Sequence, residues 1–243
     1  MALLVDGDLS GMEDLKAQDS SVLDVAASEG IDLEEKLTLA WQDVKAEVEY
    51  FLAQEGGATV DQVVVSVAMK PWHVWKTLEA VYRDAFFSQL NDRYGQRWRH
   101  WVSMAEKQRV RTFEMGLKVV STPVQRPANA EMTVEVTAGA QPAGSYWLRA
   151  TFVSASGQES APSRMRALGA VGPHGLMAKA TGTLWWNLYA GTAADAVTLQ
   201  NATPMAAGAA WVMPESGLVS GRKAGTGQAP NSTVRRVPWN WRG

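Results

Sequence analysis

The chain has 243 residues, of which 46% are hydrophobic and 20% charged, enough for one large or two modest domains with real cores. It contains no cysteine, which excludes disulfides and thiolate metal sites, and its formal net charge is −2. The apolar runs are too short for a signal peptide or a membrane span, so we expect a soluble protein with no membrane partner.

Charge is divided unevenly along the chain. Residues 1–92 contain 18 acidic and six basic residues, whereas residues 93–118 contain two acidic and seven basic residues. Residues 119–243 contain five acidic and ten basic residues. This segregation favours complementary surfaces or a channel wall over a uniform nucleic-acid-binding surface.

The first part of the chain predicts amphipathic helices. The sequence Asp19-Ser-Ser precedes a short helical pattern that ends at Gly30, and Asp32 is a suitable N-cap for a longer helix through Gln54. Apolar residues recur in this longer helix at spacings of three and four, which predicts one buried face. Residues 59–69 are rich in β-branched side chains and fit either a short strand or a helix.

A second helical pattern begins after Pro71 and continues to Leu117. A helix of about 45 residues exceeds the usual length in globular proteins. The pattern therefore predicts either an antiparallel pair of helices with a tight turn near 91–95 or one long helix that protrudes from its domain.

The sequence changes character between Lys118 and Asn129, and the following part predicts strands. Short alternating runs lie at 132–136, 146–153, 177–181, 184–190 and 209–213. About six or seven strands at this spacing suit a sandwich. We therefore predict an α+β protein with a helical domain (1–120), a linker (121–130), an antiparallel β-sandwich (131–221) and a basic tail (222–243).

Tryptophan is abundant, with 11 residues in the chain. Four of them lie at a spacing of three on the central helices and predict a bundle core, with a binding interface as the alternative: Trp72, Trp75, Trp98 and Trp101. Trp185 and Trp186 are adjacent in a predicted strand, so their side chains must point to opposite faces. One of this pair is expected in the core, and the other faces solvent or a partner.

No motif predicts catalysis. His73 and His100 lie among tryptophans, so we expect packing or interface roles for them rather than metal binding; His174 lies in a Gly-Pro-His-Gly segment and is expected to be a turn residue rather than a base. Nucleophile elbows, phosphate-binding loops and dinucleotide fingerprints are absent from the sequence. We therefore predict a protein that is not an enzyme and that holds no cofactor or metal.

Two groups of basic residues are candidate interaction sites. The first lies on the predicted central helices and is expected to face another subunit or a channel, with DNA binding as the alternative: Arg93, Arg97, Arg99, Arg109 and Arg111. The second lies in the tail and is expected to dock into another protein: Arg235, Arg236, Trp239, Trp241 and Arg242.

Two regions resemble known families. Residues 89–106 (Gln-Leu-Asn-Asp-Arg-Tyr-Gly-Gln-Arg-Trp-Arg-His-Trp-Val-Ser-Met-Ala-Glu) and 116–123 (Gly-Leu-Lys-Val-Val-Ser-Thr-Pro) resemble the long-helix region of tailed-bacteriophage neck proteins. Residues 144–163, 186–192 (Trp-Asn-Leu-Tyr-Ala-Gly-Thr) and 217–221 (Gly-Leu-Val-Ser-Gly) resemble the fibronectin-III/Ig-like modules of phage structural proteins.

The resemblance implies a head–tail connector (adaptor) in the virion neck, made in the cytoplasm of a host bacterium. In that family a helical bundle forms a ring under the portal, expected here to be twelvefold, and a C-terminal tail docks into the portal. The implied partners are the portal protein, a downstream neck or tail protein, further copies of the chain and double-stranded DNA that passes without sequence-specific contact. The alternative is a tail or baseplate protein that uses its β-sandwich to bind a subunit or a glycan.

Overall fold

The computed structural model describes residues 1–7, 9–89, 92–182 and 184–236. The protein is α+β, with long helices and antiparallel sheets. The chain divides into two compact units. A helical unit comprises residues 3–121 and 230–236, and a strand unit comprises residues 1–2 and 122–229.

The helical unit contains a run of amphipathic helices: α1 (Met12–Gln18), α2 (Val22–Glu29), α3 (Leu33–Glu55), α4 (Met69–Gln89) and α5 (Asp92–Met115). The Asp32 side chain accepts hydrogen bonds from the backbone N–H groups of Glu34 and Glu35, and it therefore starts α3 as the sequence predicts. Helix α2 ends at Gly30, whose φ of 66° is left-handed. The predicted end of α2 at Gly30 is confirmed, and α3 ends at Glu55, one residue after the predicted Gln54.

Helices α4 and α5 form an antiparallel pair. The ring of Trp72, near the start of α4, lies 5.5 Å from that of Phe113, near the end of α5. At the other end, Phe86 stacks on Trp98 at 5.7 Å. The predicted antiparallel pair is therefore correct and the protruding single helix is wrong, although α5 already begins at Asp92, so residues 92–95 of the predicted turn are helical.

The sequence pattern misplaced two short segments. Residues 59–69 are neither a regular strand nor a helix, because Val60–Gln62 form a 3₁₀ turn and Val63 and Val64 make isolated β-bridges before α4 begins at Met69. Helix α5 ends at Met115 rather than at Leu117. Gly116 has a φ of 81°, so the helix cannot continue through it, and Leu117 begins strand β1 (Leu117–Val119).

Two clusters of buried apolar side chains hold the helical unit together. In one of them the ring of Phe51 on α3 stacks on that of Phe113 at 4.5 Å, beside buried Trp72. The other joins α1, α2, α4 and α5 around Leu78, Tyr82 and Trp101. Burial of this kind, rather than helix propensity, accounts for most of the stability of such helices.

The described residues of the strand unit form seven strands: β2 (Met132–Gln141), β3 (Gly144–Val153), β4 (Arg166–Ala170), β5 (His174–Ala180), β6 (Trp185–Gly191), β7 (Thr198–Leu199) and β8 (Ala210–Val212). They form a three-stranded sheet in the order β2-β5-β8 and a four-stranded sheet in the order β4-β3-β6-β7. Every pair is antiparallel.

Side chains of both sheets share one apolar core. Alternate residues of β2, β3, β5 and β6 point into it, as the period of two requires. Its members include Val134, Tyr146, Leu148, Phe152, Leu176, Ala178, Trp186, Leu188 and Trp211. Trp186 is 0% exposed and Trp185 is 56% exposed, so the predicted opposite orientations are confirmed.

The predicted basic tail is shared between the two units. Residues 222–229 group with the strand unit, where the side chain of Gln228 is buried and donates to the Thr122 carbonyl at 2.9 Å. Residues 230–236 group with the helical unit, where strand β9 (Ser232–Val234) pairs antiparallel with β1. Of the predicted docking residues, Trp239, Trp241 and Arg242 lie outside the described residues.

Candidate interaction surfaces

The five arginines predicted at 93–111 lie on α5 but in different environments. Arg97 turns inward: its Nη1 donates to the Tyr82 hydroxyl at 2.8 Å and lies 3.7 Å from an Asp19 oxygen. Arg109 is bound nearer the end of α5, where its guanidinium lies 2.7 Å from Glu106 and 3.4 Å from Glu47 on α3. These two guanidinium groups tie helices of one subunit together. Their predicted role at an interface or a channel stays a prediction.

Asp19 is the centre of the inward cluster. Its carboxylate accepts hydrogen bonds from the Tyr82 hydroxyl at 2.6 Å and from the Ser21 backbone N–H at 3.0 Å. Burial raises the pKa of Asp19, but these hydrogen bonds and the charge of Arg97 outweigh burial and hold its pKa below the usual value. The cluster therefore fixes the turn between α1 and α2 against α4 and α5.

Three basic side chains of α5 remain directed outward. Arg99, Lys107 and Arg111 are exposed, and none of them forms an ion pair with another described residue. Arg93 is also exposed, and its guanidinium lies 5.4 Å from the Tyr94 ring. We call Arg99, Lys107 and Arg111 the basic face of α5.

Helix α3 has the opposite character. Five acidic side chains are exposed along it: Glu34, Glu35, Asp43, Glu47 and Glu49. Its two lysines are already engaged, because Lys36 lies 2.6 Å from Asp84 and Lys45 lies 3.6 Å from Glu49. We call Glu34, Glu35 and Glu49, which lie away from Arg109, the acidic face of α3.

A groove of about 570 Å³ separates α3 from α5. Trp72 and Lys76 of α4 line it, together with Tyr50 and Val102 from the two walls. The ion pair between Arg109 and Glu47 bridges the walls. The groove thus combines aromatic and apolar surface with a charged rim.

The helical unit holds the last described residues of the chain, 230–236. Lys118 of β1 donates to the Thr233 hydroxyl at 2.9 Å, and the Asn231 N–H donates to the Val119 carbonyl at 3.0 Å. Beyond β9, Arg236 lies 3.5 Å from Glu55 at the end of α3, and Arg235 is exposed. Two of the five predicted docking residues are therefore placed on this unit.

The histidines occupy packing positions or the surface. In His73, which is buried, Nε2 donates to the Leu37 carbonyl at 2.9 Å, so Nδ1 accepts from the Ser10 hydroxyl at 2.7 Å. Burial lowers the pKa of His73, which favours this neutral form. His174, predicted as a turn residue, instead begins strand β5 and is buried against Tyr146, and His100 is exposed. Among the described residues, no group of three or more His, Asp or Glu could hold a metal ion.

The sequence analysis missed a polar cluster in the strand unit. Glu159 accepts hydrogen bonds from the Tyr189 hydroxyl at 2.6 Å, the Asn187 amide at 3.0 Å, the Thr151 hydroxyl and Arg222 at 2.7 Å. Burial raises the pKa of Glu159, but the four donors outweigh burial and hold its pKa below the usual value. The one signal in the sequence is an isolated acidic residue in a stretch with few acids.

Comparison with known proteins adds no relative. Neither the protein-family models, nor the curated proteins, nor the solved structures contain a match to this chain. None of the described helices is long and apolar enough to cross a membrane. The surfaces themselves therefore carry the functional argument.

Proposed function

We propose that this chain is a structural subunit of the neck of a tailed bacteriophage. It forms a ring, expected to be twelvefold, that joins the portal to the tail and continues the DNA channel. The chain acts by multivalent docking rather than by catalysis, because many modest contacts repeated by symmetry produce a strong assembly. The helical unit forms the ring and the C-terminal segment docks into the portal.

The observation that carries the proposal is the anchoring of the C-terminal segment. Pairing of β9 with β1 and the contact of Arg236 with Glu55 place the start of the basic, tryptophan-containing segment on the helical unit. Tryptophan and arginine are the residues most enriched at binding hot spots. The resemblance of residues 89–106 and 116–123 to neck proteins supports the same assignment.

The strand unit, in this proposal, is an immunoglobulin-like or fibronectin-III-like module. Its three plus four antiparallel strands and its shared core support this assignment. Such modules serve many functions, so the module adds a docking surface for a neighbouring virion protein and does not by itself define the position in the neck.

The test is a truncation after Arg236, which removes residues 237–243 and retains β9 and the buried side chain of Gln228. We expect this variant to fold and to lose binding to the cognate portal, measured by co-sedimentation with portal rings. A second variant replaces only Trp239 and Trp241 by alanine and is expected to weaken binding in the same direction. If the truncated chain binds the portal as well as the wild type does, the segment has no docking role.

A second candidate, a DNA-binding assembly factor, is favoured by the basic face of α5. Neutralising three phosphates would give a slope of log affinity against log salt of about −3. The connector proposal expects only weak DNA binding that is insensitive to sequence. Specific binding that Arg99→Ala, Lys107→Ala and Arg111→Ala each weaken would favour the second candidate.

A further inference from the structure

The acidic face of α3 and the basic face of α5 are similar in length. The helices have 23 and 24 residues. From the rise per residue, Glu35 and Glu49 are about 21 Å apart along α3, and Arg99 and Arg111 are about 18 Å apart along α5. Two rows of opposite charge with similar spans can therefore meet along most of a helix.

The two faces are not used against each other within one subunit. Helices α3 and α5 run parallel, because Glu47 pairs with Arg109 and, one turn later, Phe51 stacks on Phe113. These contacts lie along the inner edges of the two helices. The remaining charges of both faces point outward, where a second molecule can reach them.

Exposed apolar side chains lie beside these charges and at the rim of the groove between the two helices. Leu39 is 40% and Tyr50 is 65% exposed on α3, while Val102 is 39% and Val110 is 41% exposed on α5. A contact that buries an apolar centre inside a charged rim has the composition of a specific protein interface. The charges would then set orientation and partner choice.

We propose that the acidic face of α3 in one copy docks on the basic face of α5 in the next copy. The inference rests on the proposed ring and names the contact that builds it. The two surfaces differ, so the contact is heterologous, and heterologous contacts that close give rings. Each copy offers one acidic and one basic face, which leaves no face unpaired in a closed ring.

Two charge reversals test this contact. The first variant, Lys107→Glu with Arg111→Glu, makes the basic face acidic. The second, Glu35→Lys with Glu49→Lys, makes the acidic face basic. A matched control, Lys179→Glu with Lys223→Glu, changes the net charge as much as the first variant but alters exposed positions of the strand unit.

Self-association is measured by sedimentation velocity from micromolar to millimolar concentration at low salt, with circular dichroism as a check on folding. We expect the wild type and the control to form assemblies larger than a dimer. Each face reversal should weaken association by at least about tenfold, because like charges then meet. An equimolar mixture of the two reversed variants should assemble again, since each acidic face then meets a basic one.

Three results would overturn the inference: a wild type that remains monomeric, a reversal that leaves association unchanged, or a mixture that does not recover. The proposed function and the proposed contact can be refuted separately. A wild-type ring that is sensitive to both reversals but does not bind a portal refutes the neck assignment and retains the contact. If the chain binds the portal but its self-association is unchanged by the charge reversals, only the proposed contact between α3 and α5 is refuted.

Discussion

Replacement of Glu159 by glutamine tests the account of the strand unit most sharply. The amide can keep one oxygen toward Thr151, Asn187 and Tyr189, but it loses the charge and presents an NH₂ group to Arg222. Hydrogen bonds to a charged group contribute about 1.5–3 kcal/mol each. Because part of the hydrogen-bond geometry is kept, we expect the free energy of unfolding of the strand unit to fall by about 3 kcal/mol.

Two control variants separate the possible causes. Arg222→Met removes only a half-exposed partner and should cost at most about 1 kcal/mol, as exposed ion pairs do. Asp195→Asn removes an exposed carboxylate of the same unit and should change stability by less than about 0.5 kcal/mol. Native-state hydrogen exchange of peptides from β3 and β6 measures the loss in this unit alone.

The same cluster predicts a pH dependence. The folded-state pKa of Glu159 lies below its ordinary value of 4.5, so the unfolded chain binds the proton more readily. The stabilisation is therefore complete above about pH 4.5 and is lost as pH falls through the folded-state pKa. In Glu159→Gln this part of the acid destabilisation should disappear. A loss below 1 kcal/mol at neutral pH, or an unchanged acid profile, would refute the reasoning.

Three further substitutions probe the core of the strand unit and the pairing of β1 with β9. Trp186→Ala should destabilise the strand unit by about 3–5 kcal/mol, whereas Trp185→Ala should leave its exchange rates nearly unchanged; similar effects would contradict the assigned faces. Gly116→Ala should weaken the pairing of β1 with β9, because the new Cβ would lie 2.8 Å from the Val234 carbonyl oxygen at a φ of 81°. Faster exchange of the Ser232–Val234 amides, by at least about tenfold, checks this, and unchanged exchange would show that the turn tolerates a side chain.

Local chemistry explains which elements the sequence could predict. Helix α3 has an aspartate cap, a regular apolar face and a glycine after its last residue, so all signals for it lie within 25 residues of chain. The orientation of Trp185 and Trp186 follows from the two-residue period of any strand. The general α+β class follows from the same periodicities.

Features that depend on distant residues could not be predicted in this way. Strand β9 has three residues, and its partner β1 lies more than 100 positions earlier, so neither carries a strand pattern of its own. Val63 and Val64 have strand propensity, yet they form only isolated bridges. Helical geometry alone places Arg97 and Arg99 on different faces of α5. The contacts of Arg97 with Asp19 and Tyr82 depend on the tertiary fold and could not be predicted from the sequence.

The central claim is that copies of this chain form a ring that docks on a portal. Electron microscopy of the purified chain mixed with the cognate portal tests it directly. The account predicts a ring of this protein on the tail-facing side of the portal, and the truncation after Arg236 should leave that side bare. A portal without added density, or a position of the chain in a fibre or baseplate of the intact virion, would contradict the account.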